Sequence, residues 1–121
     1  MLPAARLSLP LPRDARAKRI CQALLDNPAD DRSLAEWGRV VGASSRTLAR
    51  LFVRDTGMGF GAWAQTMRLS LSLDRLALGE PVTRIALELG YATPSAFGAM
   101  FRRVLGTSPH RYMSVTQQHL S

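Results

Sequence analysis

The chain turns on GASSRTLARLF (residues 42–52) and on its echo, GYATPSAFGAMF (residues 90–101). Gly90 follows Gly42 by 48 positions, and Ala86 follows Gly38 by the same distance. Beyond the turn the offset becomes 49, pairing Leu48 with Phe97, Phe52 with Phe101, Gly57 with Gly106 and Trp63 with Tyr112. One extra residue in the second turn accounts for the change. Each copy reads as a short helix, a tight glycine turn and a second helix whose first turn is polar. The tiny residue four positions before each turn glycine (Gly38, Ala86) is expected to let the two helices cross closely. That is the pattern of a helix-turn-helix, whose second helix enters the DNA major groove. A plain helical hairpin also has apolar stripes and glycine turns; two copies in register in a basic chain separate the readings.

Working outward, every segment has helical spacing and none reads as strand. Ala17, Ile20, Cys21, Leu24 and Leu25 give a helix over 13–27, closed by Pro28. Ser33 and Glu36 form an S-x-x-E capping box ahead of Leu34, Trp37 and Val41. Ser44 or Ser45 offers the next N-cap, and Leu48, Leu51 and Phe52 line a helix that stops at Gly57. A longer helix runs from Phe60 to about Leu78. Its stretch Leu69-Ser70-Leu71-Ser72-Leu73 alternates like a strand, but helical spacing enters from upstream and continues through Leu76. Pro81 suits a helical first turn. Ile85, Ala86 and Leu89 line a short helix ending at Gly90. Thr93 and Pro94 open the next, with Phe97, Met100, Phe101 and Val104 expected to be buried and Gly106 as its stop. Ser108 and Pro109 start a last helix through Tyr112 and Met113. The expected fold is all-α, about seven helices. Residues 1–12 read as an extended, proline-broken arm or linker remnant, 13–57 as the first helix-turn-helix subdomain, 58–79 as a linking helix and 80–121 as the second subdomain.

The chain has 121 residues, 46% of them hydrophobic, enough for one small domain or two very small ones. Sixteen basic residues against nine acidic give a net charge of +7, which points to an anionic partner. All but one of the basic residues are arginine, the side chain that grips phosphate and the guanine edge through two parallel hydrogen bonds. The single cysteine, Cys21, excludes an internal disulfide, argues against structural zinc and fits a reducing cytoplasm. No apolar run approaches the ~20 residues of a membrane span. His110 and His119 lack partners at ligand or triad spacing, and the glycines at 57, 59 and 61 lack the strand and lysine of a phosphate loop. No metal, cofactor or catalytic constellation is expected.

The stretch from Ser33 to about Tyr112, about two-thirds of the chain, resembles the DNA-binding domain of the AraC/XylS family of bacterial transcription regulators. The matching residues are SSRTLARLF (44–52), Gly57, Phe60, IALELGY (85–91), PSAF (94–97), Phe101, Gly106, Ser108, Pro109 and Tyr112. The resemblance implies two helix-turn-helix subdomains joined by the long middle helix and set to enter successive major grooves of double-stranded DNA. It also implies RNA polymerase as a partner. Family members usually carry an effector-binding domain ahead of this one, so the chain is either one domain of a longer regulator or a short stand-alone member. Two departures from the family's habit stand out: Gly38 stands where alanine is commoner, and Gly98 and Ala99 stand where larger polar readers are frequent.

Arg46, Arg50 and Arg54 recur every four residues and share a face opposite Leu48 and Phe52. Arg46 and Arg50, with Ser45 and Ala49 beside them, are the expected base contacts, joined by Ser95 from the second unit. Ser44, Thr47, Arg54, Thr83, Thr93 and Arg102 are the expected phosphate contacts. Two alternatives stay open, a solvated arginine face paired with Asp55 or another acid, and simple N-capping by Thr93. The first unit is expected to read sequence and the second mostly to anchor. The aromatic residues sit on core faces and not on a stacking platform. The competing function is a small basic interaction protein that binds an acidic partner.

Overall fold

The computed structural model describes residues 9–120; the first eight positions of the expected arm and the side chain of His119 lie outside the described residues. Among these, seven helices and no strand are found: α1 (Ala15–Asp26), α2 (Leu34–Val41), α3 (Ser45–Thr56), α4 (Phe60–Ala77), α5 (Val82–Glu88), α6 (Pro94–Leu105) and α7 (Pro109–Leu120). They divide into two units, and the division falls inside α4, between Met67 and Arg68.

In the first unit α1 packs on α2 and α3, and α2 on α3. Helix α1 begins where Asp14 accepts the backbone N–H groups of Arg16 and Ala17. Its buried stripe is Ala17, Ile20, Cys21 and Leu24. Leu25, expected on that stripe, is exposed, because the covered arc is narrow and Leu25 lies one step round from its last member. Helix α2 starts at the expected capping box: Glu36 N–H donates to Ser33 Oγ at 3.2 Å, and Ser33 N–H to Glu36 Oε1 at 2.9 Å. Such a cap stabilises by about 1 kcal/mol. Trp37 is buried, with the Arg32 guanidinium 4.8 Å above its ring. Helix α3 buries Leu48, Leu51 and Phe52, and Phe52 packs edge-on against Phe60 at 5.4 Å and Trp63 at 6.4 Å.

The turn between α2 and α3 corrects the expected role of Gly38. The Gly38 carbonyl accepts both Gly42 N–H (2.8 Å) and Ala43 N–H (3.0 Å), while Gly42 takes φ +77°, the left-handed conformation that suits glycine. This fold-back brings the Ala43 carbonyl oxygen over Gly38, so closely that a Cβ there would overlap it. Gly38 makes room for the turn's own backbone. In the second unit Tyr91 N–H reaches the Ala86 carbonyl at 3.0 Å in the same way, and Gly90 has φ +94°. There the extra residue, Ala92, lengthens the turn, and an alanine stands at 86.

Residues 9–12, the described end of the expected arm, are docked. Pro12 is buried, and the Pro10 carbonyl accepts the indole N–H of Trp63 at 2.8 Å. The Asp55 carboxylate, whose side chain is closed to solvent, accepts the N–H groups of Arg13 (2.9 Å) and Asp14 (3.0 Å). Prolines that deny the arm a helix do not stop it from docking on the first unit.

The second unit gathers Leu69, Leu73 and Leu76 of α4, Val82, Ile85 and Ala86 of α5 with Leu89 beyond it, Phe97, Met100 and Phe101 of α6, and Tyr112 of α7 into one cluster. Phe101 stacks edge-on with Phe97 (5.6 Å) and Tyr112 (5.7 Å). The alternating 69–73 stretch is helical, and the hydroxyl of buried Ser72 donates to the Leu69 carbonyl at 2.6 Å. Arg75 clasps Glu80 and Glu88, tying α4 to both ends of the α5 segment. Pro81 is the N-cap of α5, one place before the first turn expected for it. Val104, expected in the core, is 44% exposed. Periodicity puts it on the apolar face of α6 but does not say how far along the helix that face is covered.

Candidate nucleic-acid interface

On α3, Ser45, Arg46, Ala49 and Arg50 are all exposed, and Arg46 and Arg50 lie on the side opposite buried Leu48 and Phe52. Among the described residues Arg46 and Arg50 have no ion-pair partner, so both guanidinium forks are available to a ligand. Ser44 caps the helix: its Oγ accepts Thr47 N–H at 3.1 Å and its hydroxyl donates to Thr47 Oγ1 at 3.0 Å. The first-turn N–H groups of Ser45 and Arg46 remain outside that cap, at the positive end of the helix dipole.

Arg54 differs from its two companions. Its Nε donates to Asp55 Oδ1 at 2.8 Å, the pairing left open above, although its side chain is 59% exposed. The Arg54 hydrogen bond, helped by the N–H groups of Asp14 and Arg13, holds the Asp55 carboxyl down at a pKa of about 2. Asp55 in turn raises the pKa of Arg54. The face of α3 therefore carries two unengaged arginines and one engaged.

In the second unit Thr93 does cap α6, its Oγ1 accepting Ala96 N–H at 3.0 Å, and Pro94 follows at the first position. Ser95, Ala99, Arg102 and Arg103 are exposed. Three expected contacts from distant sequence positions meet in one groove: Thr83 from α5, and Ser95 and Arg102 from α6. The groove also takes in Gly98 and, from the start of α7, Ser108 and His110. Sequence reasoning missed those last two as site members. The Ser108-Pro109 start signal marked a helix beginning there without showing that it begins beside α6. Thr93 lies outside the groove's lining.

Among the described residues no group of three or more His, Cys, Asp or Glu side chains is placed to hold a metal, and no helix is long and apolar enough to cross a membrane. Burial pushes the Cys21 thiol up to a pKa of about 12.

Two helix-turn-helix units, each with a basic outward second helix, define a DNA-binding class of protein. Comparison with known proteins places the chain within it. Residues 37–114 match the family model described as a helix-turn-helix domain. The chain is 33% identical over 112 residues to the HTH-type transcriptional regulator NimR of Escherichia coli (strain K12), a match covering 93% of this chain and 41% of that protein. It is 35% identical over 103 residues to the HTH-type transcriptional regulator RipA of Corynebacterium glutamicum, covering 85% of this chain and 31% of that one. It thus spans less than half the length of these relatives. Among solved structures, the DNA-binding domain of AdpA, a global transcriptional factor crystallised with a target DNA, superposes with a TM-score of 0.75 at 27% identity, over 88% of this chain and 96% of that one. The chain belongs to the AraC-type helix-turn-helix family, the DNA-binding domains of transcription regulators.

Proposed function

We propose that the chain recognises a two-part site in double-stranded DNA and that its two units do different work. Helix α3 lies in the major groove with Arg46 and Arg50 forked onto guanine edges, Ser45 and Ala49 against neighbouring bases, and Ser44 and Thr47 at the flanking phosphates. Each arginine contributes ~1–3 kcal/mol of discrimination. Arg54 meets phosphate only by exchanging Asp55 for it. The second unit takes a phosphate into the groove of Thr83, Ser95 and Arg102, with Thr93 at its edge, and Ser95 at the helix start also reaches a base. The observation that carries this reading is the pair of unengaged guanidinium groups, four residues apart, on the exposed face of the second helix of a helix-turn-helix.

On this reading the chain acts in the cytoplasm by binding and carries out no catalysis. RNA polymerase is the second partner, as befits a family of transcription regulators. Titration of a labelled duplex at several salt concentrations tests it. Log affinity should fall linearly with log salt, by about 0.9 per phosphate neutralised, and Arg102→Ala should make the slope shallower by about one. A flat salt response would favour an acidic protein partner instead.

A further inference from the structure

The two second helices differ most where they face outward. In the register that aligns the repeat, Arg46 corresponds to Ser95, Arg50 to Ala99, Ala49 to Gly98 and Val53 to Arg102. Ala99 is exposed, on the side of α6 opposite buried Phe97 and Phe101. Where α3 holds out a guanidinium, α6 holds out a bare methyl. Its neighbour Gly98 is the residue type that helix interiors tolerate worst after proline, yet a Cβ added there would meet no atom within 4 Å. Nothing inside the protein asks for glycine at 98. The clearance it leaves lies outside, in the groove with Ser95 and Arg102.

We propose that Ala99 is a base-reading residue, that it reads the C5-methyl group of thymine, and that Gly98 lets the α6 backbone approach closely enough for it to do so. The proposal rests on the reading that α6 faces DNA, and it assigns to the second unit a sequence preference beyond anchoring. Of the groups that base pairs present in the major groove, the thymine methyl is the one bulky apolar group; cytosine has only a hydrogen at the same carbon. An alanine methyl has no hydrogen bond to offer, so its one selective gain is burial against that group. Ser95, one turn before Ala99, and Arg102, three residues after it, hold the helix to the phosphate in their shared groove. The two halves of the site then differ in chemistry: guanine read by charge-assisted hydrogen bonds, thymine by apolar contact.

The test begins with selection of an enriched duplex from a random library by the 121-residue chain. Arg46→Ala and Arg50→Ala then mark which segment the first unit reads, by relaxing selection there. Each thymine of the other segment is replaced singly by uracil, which lacks only the methyl, and binding is followed by fluorescence anisotropy at fixed salt. Affinity should fall roughly fourfold at one or two positions, the worth of one buried methyl. Ala99→Gly should bind thymine and uracil duplexes alike while keeping the wild-type salt slope. Tolerance of uracil throughout the second segment, or thymine discrimination that survives Ala99→Gly, overturns the proposal and leaves DNA recognition standing. Failure to enrich any duplex overturns the DNA reading and this proposal with it.

Discussion

Gly38 and Gly98 are both helical glycines, and the structure gives their replacement by alanine opposite signs. Gly→Ala in a helix interior is worth up to about 1 kcal/mol in propensity. At Gly98 nothing opposes that gain, so Gly98→Ala should stabilise by about that amount. At Gly38 the new methyl would meet the Ala43 carbonyl, which is backbone and cannot swing aside as a side-chain tip can. The turn must open, giving up the 3.0 Å bond from Ala43 N–H to the Gly38 carbonyl, and Leu48, whose Cδ1 lies 3.7 Å from the same point, must shift. The lost bond costs about 1 kcal/mol and overpacking about 1–3 kcal/mol. After the propensity gain, Gly38→Ala should destabilise by roughly 1–3 kcal/mol. At ~4–8 °C per kcal/mol for a small domain, the midpoint should fall on the order of 10 °C. Both tryptophans, Trp37 and Trp63, belong to the first unit, so their fluorescence reports that unit alone while far-UV circular dichroism follows the whole chain. A midpoint for Gly38→Ala equal to or above wild type would refute the steric account of the turn.

Arg46→Ala and Arg50→Ala should each relax base preference by ~1–3 kcal/mol in duplex titrations and leave the unfolding free energy from urea titration within about 0.5 kcal/mol of wild type, because both side chains are exposed. Asp55 has a folded pKa of about 2 against an ordinary 3.8, so its contribution is present above the ordinary value and lost as pH falls toward 2. Urea stability should therefore drop across that interval, and Asp55→Asn should flatten the drop. Cys21, with its thiol pushed up to about 12, should resist thiol reagents at neutral pH in the folded chain and react once urea unfolds it. Rapid labelling without denaturant would contradict its burial.

Most of the fold was legible because it is written locally. The Ser33–Glu36 box, the turns at Gly42 and Gly90 and the apolar spacing through Leu69 and Leu73 all act over a few residues, and the helices fall where those signals put them. The outward faces of α3 and α6 follow from the same periodicity, which leaves Arg46, Arg50, Ser95 and Arg102 exposed, while Thr47 is half-buried. What escaped depends on residues far apart in the chain. No local pattern joins Asp55 to the N–H groups of Arg13 and Asp14, 42 and 41 positions away, or Trp63 to Pro10, 53 positions away. Ser108 and His110 join Thr83 and Ser95 only because three helices begin beside one another. Gly38 was recognised as a place where something comes close, but what comes close is the turn itself.

The bond between the Trp63 indole and the Pro10 carbonyl sets a practical limit on trimming this sequence. A cut at the start of the first helix looks safe on secondary structure alone, yet it would strip the acceptor from an indole N–H whose residue has no exposed surface. An orphaned donor of that kind costs about 1–3 kcal/mol, a large share of what a unit this small has to spare. Anyone preparing a shorter version for crystals or spectroscopy should keep the chain from Leu9 onward, and can use the emission of Trp63 to see whether the strap is still fastened.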